Sequence, residues 1–189
     1  MTVIGHENIP NDKSVLYTPN HRGMFDILVM LADAPCMTSF ISKKEWKKIP
    51  LLSWWIAWLH GLYIDRENIR EALKTVLSAV DLVKDEISVV IFPEGTRGRV
   101  PDERQMNPFH EGSLKIAAKS GCPIIPVAIT HTSEIFEDQF PKLRSKKVIL
   151  EYGKPVYPEE LSKEDRKFIG RYVQGIVQEM LDRNHEIGG

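Results

Sequence analysis

The chain has only two cysteines among its 189 residues, Cys36 and Cys122. They form no C-x-x-C pair, and two such residues are not the pattern of a small secreted domain held by disulfides. A reducing compartment is therefore expected. Neither a structural disulfide nor a metal site is predicted, because no cluster of ligand-type residues has a useful spacing.

Long apolar runs and an excess of positive charge are also missing. No run reaches the roughly 20 residues that a transmembrane helix needs, and the opening MTVIGHENIP lacks the apolar core of a signal peptide. The formal net charge of -1 gives no overall positive field for nucleic acid, so no nucleic-acid partner is expected. The length favours one globular domain covering residues 1–189.

Strand and helix patterns alternate along the chain. Short β-branched or apolar runs predict strands at 14–20, 38–42, 61–64, 87–92, 123–130 and 146–153. Helices are predicted at 24–31, 50–60, 68–85, 113–121 and 162–183, the last with Ser162 as its N-cap. This alternation predicts a single α/β layered domain with a largely parallel, mixed central sheet flanked by helices.

The stretch YTPNHRGMFDIL places His21 and Asp26 five positions apart. On a straight helix the two would point away from each other, so they can meet only if His21 lies in a loop and Asp26 in the first helical turn. The carboxylate would then fix the imidazole tautomer, leaving the other nitrogen to take a proton from a hydroxyl. The alternative is a solvated loop histidine followed by a helix-starting aspartate.

A nucleophile for this histidine is missing from the chain, which contains no G-x-S-x-G turn. The attacking hydroxyl is therefore expected to come from the substrate.

The stretch VVIFPEGTRGR is a candidate phosphate site. A buried strand opens there into a loop with Glu94, Gly95, Thr96, Arg97, Gly98 and Arg99. Freed backbone amides and an arginine fork suit a phosphate, although a solvent loop with surface arginines explains the same residues.

Further cations follow two other predicted strands. Arg66 follows the predicted strand at 61–64, and Lys43 and Lys44 follow the one at 38–42, so all three could add charge to the same mouth. For Arg66 the alternative is an ion pair with Asp65 or Glu67.

All four tryptophans lie within KKEWKKIPLLSWWIAWLHG. Lysines suit anionic headgroups and tryptophans suit the membrane interface, so this stretch predicts a helix lying on a bilayer. The alternative is packing on the sheet or around an acyl groove, and one helix could do both. The interfacial residues expected are Trp46, Lys47, Lys48, Trp54, Trp55 and Trp58.

Four blocks, NHRGMFD, GLYIDR, FPEGTR and IIPVAI, occur in that order. They resemble the signature of the glycerolipid acyltransferases, and most closely the bacterial 1-acyl-sn-glycerol-3-phosphate acyltransferases, from about residue 4 to residue 155. The resemblance implies acyl transfer from acyl-CoA or acyl carrier protein to the sn-2 hydroxyl of lysophosphatidic acid, without a cofactor. It implies His21 as general base, Asp26 as its orienting partner, and Pro126 on the acyl-donor side. For the acceptor phosphate it implies Arg66, Glu94, Gly95, Thr96 and Arg97, with Lys43 as a helper.

The front of the chain departs from that family. Relatives usually carry an apolar membrane segment before VIGHENIP, so a truncated or naturally short form is expected, peripheral on the cytoplasmic face of the membrane. The competing interpretations are a sister acyltransferase using glycerol-3-phosphate or another lysophospholipid, a phospholipid-binding module without turnover, and an esterase or thioesterase.

Overall fold

A seven-stranded sheet forms the centre of the computed structural model, which describes residues 1–98, 102 and 104–188. Its strands are β1 (Thr2–Ile4), β2 (Leu16–Pro19), β3 (Thr38–Lys43), β4 (Leu62–Ile64), β5 (Ser88–Val90), β6 (Ile124–Thr130) and β7 (Ile149–Tyr152). Their order is β1-β7-β6-β2-β5-β3-β4, and within these residues every neighbouring pair is parallel except β6 and β7. The predicted largely parallel, mixed sheet is confirmed.

Helices cover both faces of this sheet. They are α1 (Asp26–Asp33), α2 (Pro50–Trp58), α3 (Ile69–Lys84), α4 (Glu111–Ser120), α5 (Lys163–Lys167) and α6 (Ile169–Gly188). Buried side chains of α3, α4 and α6 form one core with residues such as Leu16 and Val89, whereas α1 and α2 pack into a second core with Tyr17 and Val90. Because side chains alternate along a strand, a central strand must be apolar on both faces, which explains the continuous apolar runs.

The predicted closing helix at 162–183 is wrong in one respect: two helices are present, separated at Phe168. Ser162 does cap the first of them, accepting a hydrogen bond from Asp165 N. The second helix begins where the Glu111 carboxylate of α4 accepts bonds from Gly170 N at 2.8 Å and Arg171 N at 3.4 Å. A carboxylate stabilises the orphan amides of a helix N-terminus, so this tertiary contact sets the start of α6.

Five parallel strands, β2 to β6, end at the same edge of the sheet, here named the carboxyl edge. Loops at this edge of open α/β sheets are where ligands bind. Lys43 is the last residue of β3, and the residues that follow the other four strands include His21, Arg66, Glu94 and Thr132. Segments far apart in the chain therefore meet here.

Candidate active site

His21 and Asp26 are in direct contact at the carboxyl edge. His21 lies in the loop after β2, Asp26 is the first residue of α1, and His21 Nδ1 lies 2.8 Å from Asp26 Oδ2. The Asp26 side chain is buried and the His21 side chain is 22% exposed. The predicted loop-and-first-turn geometry is present, and His21 is not a solvated loop residue. Its catalytic role stays a prediction.

Within the described residues, four hydrogen-bond donors surround the Asp26 carboxylate. Besides His21, Oδ2 accepts from Arg22 N at 2.7 Å and Gly23 N at 3.0 Å, and Oδ1 accepts from the Thr132 hydroxyl. A buried carboxylate is costly unless it is hydrogen-bonded, and these donors satisfy both oxygens. The carboxylate plane is therefore fixed relative to the imidazole.

The loop that follows β5 holds the backbone of His21 on both sides. His21 N donates to Glu94 Oε1 at 2.7 Å, and the His21 carbonyl accepts from Gly98 N at 2.8 Å. The ring stacks on Phe92 with centroids 4.1 Å apart. Its Nε2 makes no hydrogen bond to any residue that the structure describes, so this nitrogen is the one available to a substrate hydroxyl.

Glu94 is buried and connects two loops rather than facing a ligand. Its second oxygen, Oε2, accepts from Asn107 N at 2.8 Å, and the residue is only 2% exposed. Burial raises the pKa of the Glu94 carboxyl above its ordinary value. Assigning Glu94 to the phosphate contacts is therefore corrected: its oxygens are used by backbone amides, and a carboxylate repels a phosphate.

Because Gly95 has no side chain, the side chains of His110 and Arg66 can approach the loop. Its φ is +75°, and a Cβ there would lie 3.1 Å from the His110 ring and 3.4 Å from Arg66 Nη1. Only glycine adopts this backbone conformation easily. The guanidinium of Arg66 thus reaches the loop that is bonded to His21.

The alternative ion pair of Arg66 with Asp65 is absent. Asp65 instead accepts a bond from Lys44 Nζ at 2.5 Å, and Arg66 has no ion pair within the described part of the chain. Partial burial lowers the pKa of the Arg66 guanidinium, which still remains charged at neutral pH. Lys43, at the end of β3, also lacks an ion-pair partner among the residues described.

Arg97, by contrast, has a carboxylate partner. Its Nη1 lies 2.9 Å from Glu137 Oε1, the oxygen that also accepts from Met24 N at 2.7 Å. Thr96 is exposed beside it. Arg99 lies outside the described residues.

Backbone amides near His21 differ in their availability. Those of Arg22, Gly23 and Met24 donate to Asp26 or Glu137. The amides of Thr96 and Arg97 donate to none of the residues present in the described ranges. This loop, and not the one around His21, can therefore offer N–H groups to an anion.

Residues 1–130 match the sequence model of a family described as Acyltransferase, which is more than half of the chain. The chain belongs to the acyltransferase family.

Curated relatives and a solved structure agree with this family. A 1-acyl-sn-glycerol-3-phosphate acyltransferase of Saccharomyces cerevisiae is 29% identical over 98% of this chain and 60% of the relative. One of Borreliella burgdorferi is 32% identical over 71% of this chain and 52% of the relative, and one of Salmonella typhimurium is 30% identical over 90% and 68%. This acyltransferase thus spans only about half to two thirds of these proteins.

The crystal structure of the 1-acyl-sn-glycerophosphate acyltransferase PlsC from Thermotoga maritima superposes with a TM-score of 0.82 at 30% identity. The match covers 97% of this chain and 71% of that one. The fold of the acyltransferase is therefore shared over nearly its whole length.

The lysine- and tryptophan-rich stretch forms a 3-10 turn (Lys44–Lys48) and α2. Trp54 and Trp58 are 80% and 79% exposed, and Trp46 is partly exposed. Trp55 is different, because its ring lies 5.5 Å from Phe40 and joins the core. The prediction that Trp55 is an interfacial residue is corrected, because its side chain points about 100° away from that of Trp54 on the helix. Among the described residues no helix is long and apolar enough to span a bilayer.

Pro126 is not brought to His21. It lies buried inside β6, in register with Thr18 of β2. A contact with the acyl donor stays a prediction.

Three residues of the site were missed by sequence reasoning: Thr132, Glu137 and His110. Thr132 follows β6, and the carboxyl ends of neighbouring parallel strands meet, so this position carried a usable signal. Glu137 and His110 carried none, because Glu137 reaches the site from a short 3-10 turn and His110 from the loop before α4.

Proposed function

We propose that this acyltransferase moves a fatty acyl group from a thioester donor, acyl-CoA or acyl carrier protein, to the sn-2 hydroxyl of lysophosphatidic acid, giving phosphatidic acid. The observation that carries the proposal is the His21–Asp26 contact, with Nε2 open at the edge to which Arg66 and Arg97 belong. The printed names of the relatives support the choice of acceptor.

The proposed chemistry is direct transfer with a general base. His21 Nε2 takes the proton of the acceptor hydroxyl as its oxygen attacks the thioester carbonyl carbon, and Asp26 stabilises the resulting imidazolium. When the tetrahedral intermediate collapses, the carbon–sulfur bond breaks and His21 returns the proton to the leaving thiolate. The amides of Thr96 and Arg97 are the best-placed candidates to stabilise the oxyanion, because their hydrogens are uncommitted within the described residues.

The acceptor phosphate is assigned to the cations around the Gly95 loop. Arg66 and Lys43 form no ion pair in the part of the chain described, where Glu45 acts on Arg66 only from a distance, and Arg97 would join them by exchanging Glu137 for phosphate. Gripping the phosphate holds the hydroxyl near His21, which lowers the entropic cost of the reaction. The acyl donor is a co-substrate, and no metal or cofactor is proposed.

We further propose that residues 1–189 form one catalytic domain that works peripherally on the cytoplasmic face of the membrane. Trp54 and Trp58 on α2, with Lys47 and Lys48 before it, would contact the lipid surface. The two exposed tryptophans support this role, since both lie on one side of the helix.

A thiol-release assay with acyl-CoA and lysophosphatidic acid tests the reaction. His21→Ala should lower the rate by roughly 10²-fold to 10⁴-fold, the scale of a general base. His6→Ala is the matched control, because His6 lies near Asp33 and not at the carboxyl edge. Near-normal turnover in His21→Ala would refute the assignment.

The choice of acceptor needs a second comparison. Arg66→Gln should raise KM for lysophosphatidic acid but leave the use of a monoacylglycerol nearly unchanged, because the latter has no phosphate. Faster turnover with glycerol-3-phosphate than with lysophosphatidic acid would favour a sister acyltransferase. Thiol release that needs no acceptor would indicate a thioesterase, and no release at all a binding module.

A further inference from the structure

Residues 140–147, FPKLRSKK, form an exposed segment that the proposed reaction does not use. We propose that this segment, here named the basic loop, is a second membrane contact that binds an anionic bilayer on the other side of the active site from α2. The inference rests on the proposed function only where it refers to the active site, since the loop would bind lipid whether or not the protein catalyses acyl transfer.

The composition of the basic loop combines cations with exposed apolar side chains. It carries four cations and no acidic residue: Lys142, Arg144, Lys146 and Lys147. Phe140 and Leu143 are 73% and 66% exposed. Lys146 pairs with Glu134, whereas the other three cations have no ion-pair partner within the described residues.

Strand order places this loop beside the site. The basic loop lies in the connection from β6 to β7, whose facing ends pair Thr130 with Ile149, so both ends of the connection lie at the carboxyl edge. In the order β6-β2-β5-β3, the strands that lead to His21 and Gly95 are the middle two. The basic loop follows the strand on one side, and the 3-10 turn with α2 follows the strand on the other.

The active site is therefore flanked by two surfaces of the same chemistry. Each has exposed large apolar side chains next to lysines or arginines. Such a combination suits an anionic bilayer, in which the apolar groups enter the interface and the cations meet the headgroups. A soluble polyanion would use the cations alone and would leave Phe140 and Leu143 without a role.

The segment just before the basic loop is tied to the proposed phosphate site. Glu137, just upstream, accepts from both Arg97 and Met24 N. Arg144 N donates to the Ile135 carbonyl, which fixes the return of the chain. A bilayer docked on the loop would therefore lie close to the proposed phosphate site.

Vesicle flotation of the full chain, without substrates, tests the proposal. The vesicles are phosphatidylcholine alone, or phosphatidylcholine mixed with phosphatidylglycerol. Phe140→Ala combined with Leu143→Ala should weaken partition into the anionic vesicles about tenfold or more, as expected for the loss of two inserted apolar groups. Lys142→Gln, Arg144→Gln and Lys147→Gln together should remove the preference for anionic vesicles and much of its salt dependence.

Met37→Ala is the matched control, since Met37 is 62% exposed but precedes β3 at the opposite edge of the sheet. Because Phe140 also contacts Phe136, Leu143→Ala is tested alone as well, and thermal melting by circular dichroism establishes that each variant folds. Partition of the loop variants within twofold of the parent would overturn the proposal. An equal loss of partition in Met37→Ala would also overturn it. The same holds if the charge variant loses binding to heparin, a soluble polyanion, while the apolar variants keep full vesicle binding.

Turnover separates this result from the proposed reaction. The loop variants should keep parental activity on a short-chain lysophosphatidic acid that is dispersed as monomers. If the parent binds vesicles through the loop yet shows no turnover, the proposed function fails and the membrane contact stands. If turnover is present and the loop variants bind vesicles normally, the membrane contact fails and the proposed function stands.

Discussion

His21 is restrained by contacts to its ring, its backbone N–H and its backbone carbonyl. Among the residues that contribute to this restraint, Thr132 is the most distant in sequence, and it acts through Asp26. The hydroxyl of Thr132 reaches Asp26 Oδ1 across 106 residues of sequence. It touches no reacting atom, so it acts as a positioning residue: it sets the rotation of the carboxylate that in turn orients the imidazole.

Thr132→Val should therefore slow catalysis without weakening acceptor binding. The buried Asp26 oxygen loses its donor, which should lower the free energy of unfolding by about 1–3 kcal/mol. Misalignment of the imidazole should lower kcat roughly tenfold to 100-fold with little change in KM. Steady-state kinetics measure both, and Thr132→Ser should restore kcat. A serine variant as slow as the valine variant would argue against this role.

Glu94→Gln should change stability in a pH-dependent way. Burial raises the pKa of Glu94, so between its unfolded and folded pKa values the folded chain holds a proton that the unfolded chain lacks. The free energy of unfolding of the parent therefore falls as pH rises through that window. The glutamine variant lacks this slope, and it also places an NH₂ group against His21 N or Asn107 N, which should cost about 1–3 kcal/mol at neutral pH.

Urea denaturation of both proteins across the acidic to neutral range measures the effect of Glu94. The parent should lose stability relative to the variant as pH increases. A difference between the two proteins that is constant with pH would show that Glu94 has an ordinary pKa.

The sequence predicted part of this site for a physical reason. His21, Arg66 and the Gly95 loop each follow a strand, and parallel strands place such positions together. The actual partners of these residues were not predictable. Arg97 was expected to be open to a ligand, yet it pairs with Glu137, because the segment after β6 folds back to the residues just before α1.

At the scale of elements, α2 divides its tryptophans between two tasks. Trp54→Ala combined with Trp58→Ala should leave the free energy of unfolding within about 1 kcal/mol of the parent, since both rings are exposed. Vesicle partition should fall, because these rings form the proposed lipid contact. Trp55→Ala should instead cost about 2–4 kcal/mol, since its ring packs on Phe40. Denaturation and flotation of the double variant and of Trp55→Ala measure both effects, and a destabilised Trp54/Trp58 double variant would place those rings in the core.

Most elements could be predicted because local signals and tertiary contacts agree. For α3, the apolar period from Ile69 is reinforced by Asn68, whose side chain accepts from Arg70 N and Glu71 N. The break at Phe168 was missed because the same stretch has a continuous helical pattern. The contact of Glu111 with Gly170 N, which starts the last helix, involves residues 59 positions apart.

At the scale of the whole molecule, the site depends on a completed fold. Its residues come from loops after β2, β4, β5 and β6, and no two of these strands are joined by a short hairpin. We expect activity and helical circular dichroism to be lost at the same urea concentration, because no part of the sheet can assemble the site alone. Activity lost well before the helical signal would instead show that the carboxyl edge opens locally.

The two hydrogen bonds that hold the His21 backbone connect binding of the acceptor headgroup to the catalytic step. Gly98 N and Glu94 Oε1, which hold the two ends of that peptide, belong to the same short loop as Arg97. A headgroup bound to this guanidinium would thus be connected to the His21 backbone through the loop and the two hydrogen bonds that hold it. An acceptor without a phosphate should consequently react more slowly even at saturation. Arg97 would have no anion to bind, so the loop would no longer hold the His21 imidazole in line with the attacking hydroxyl.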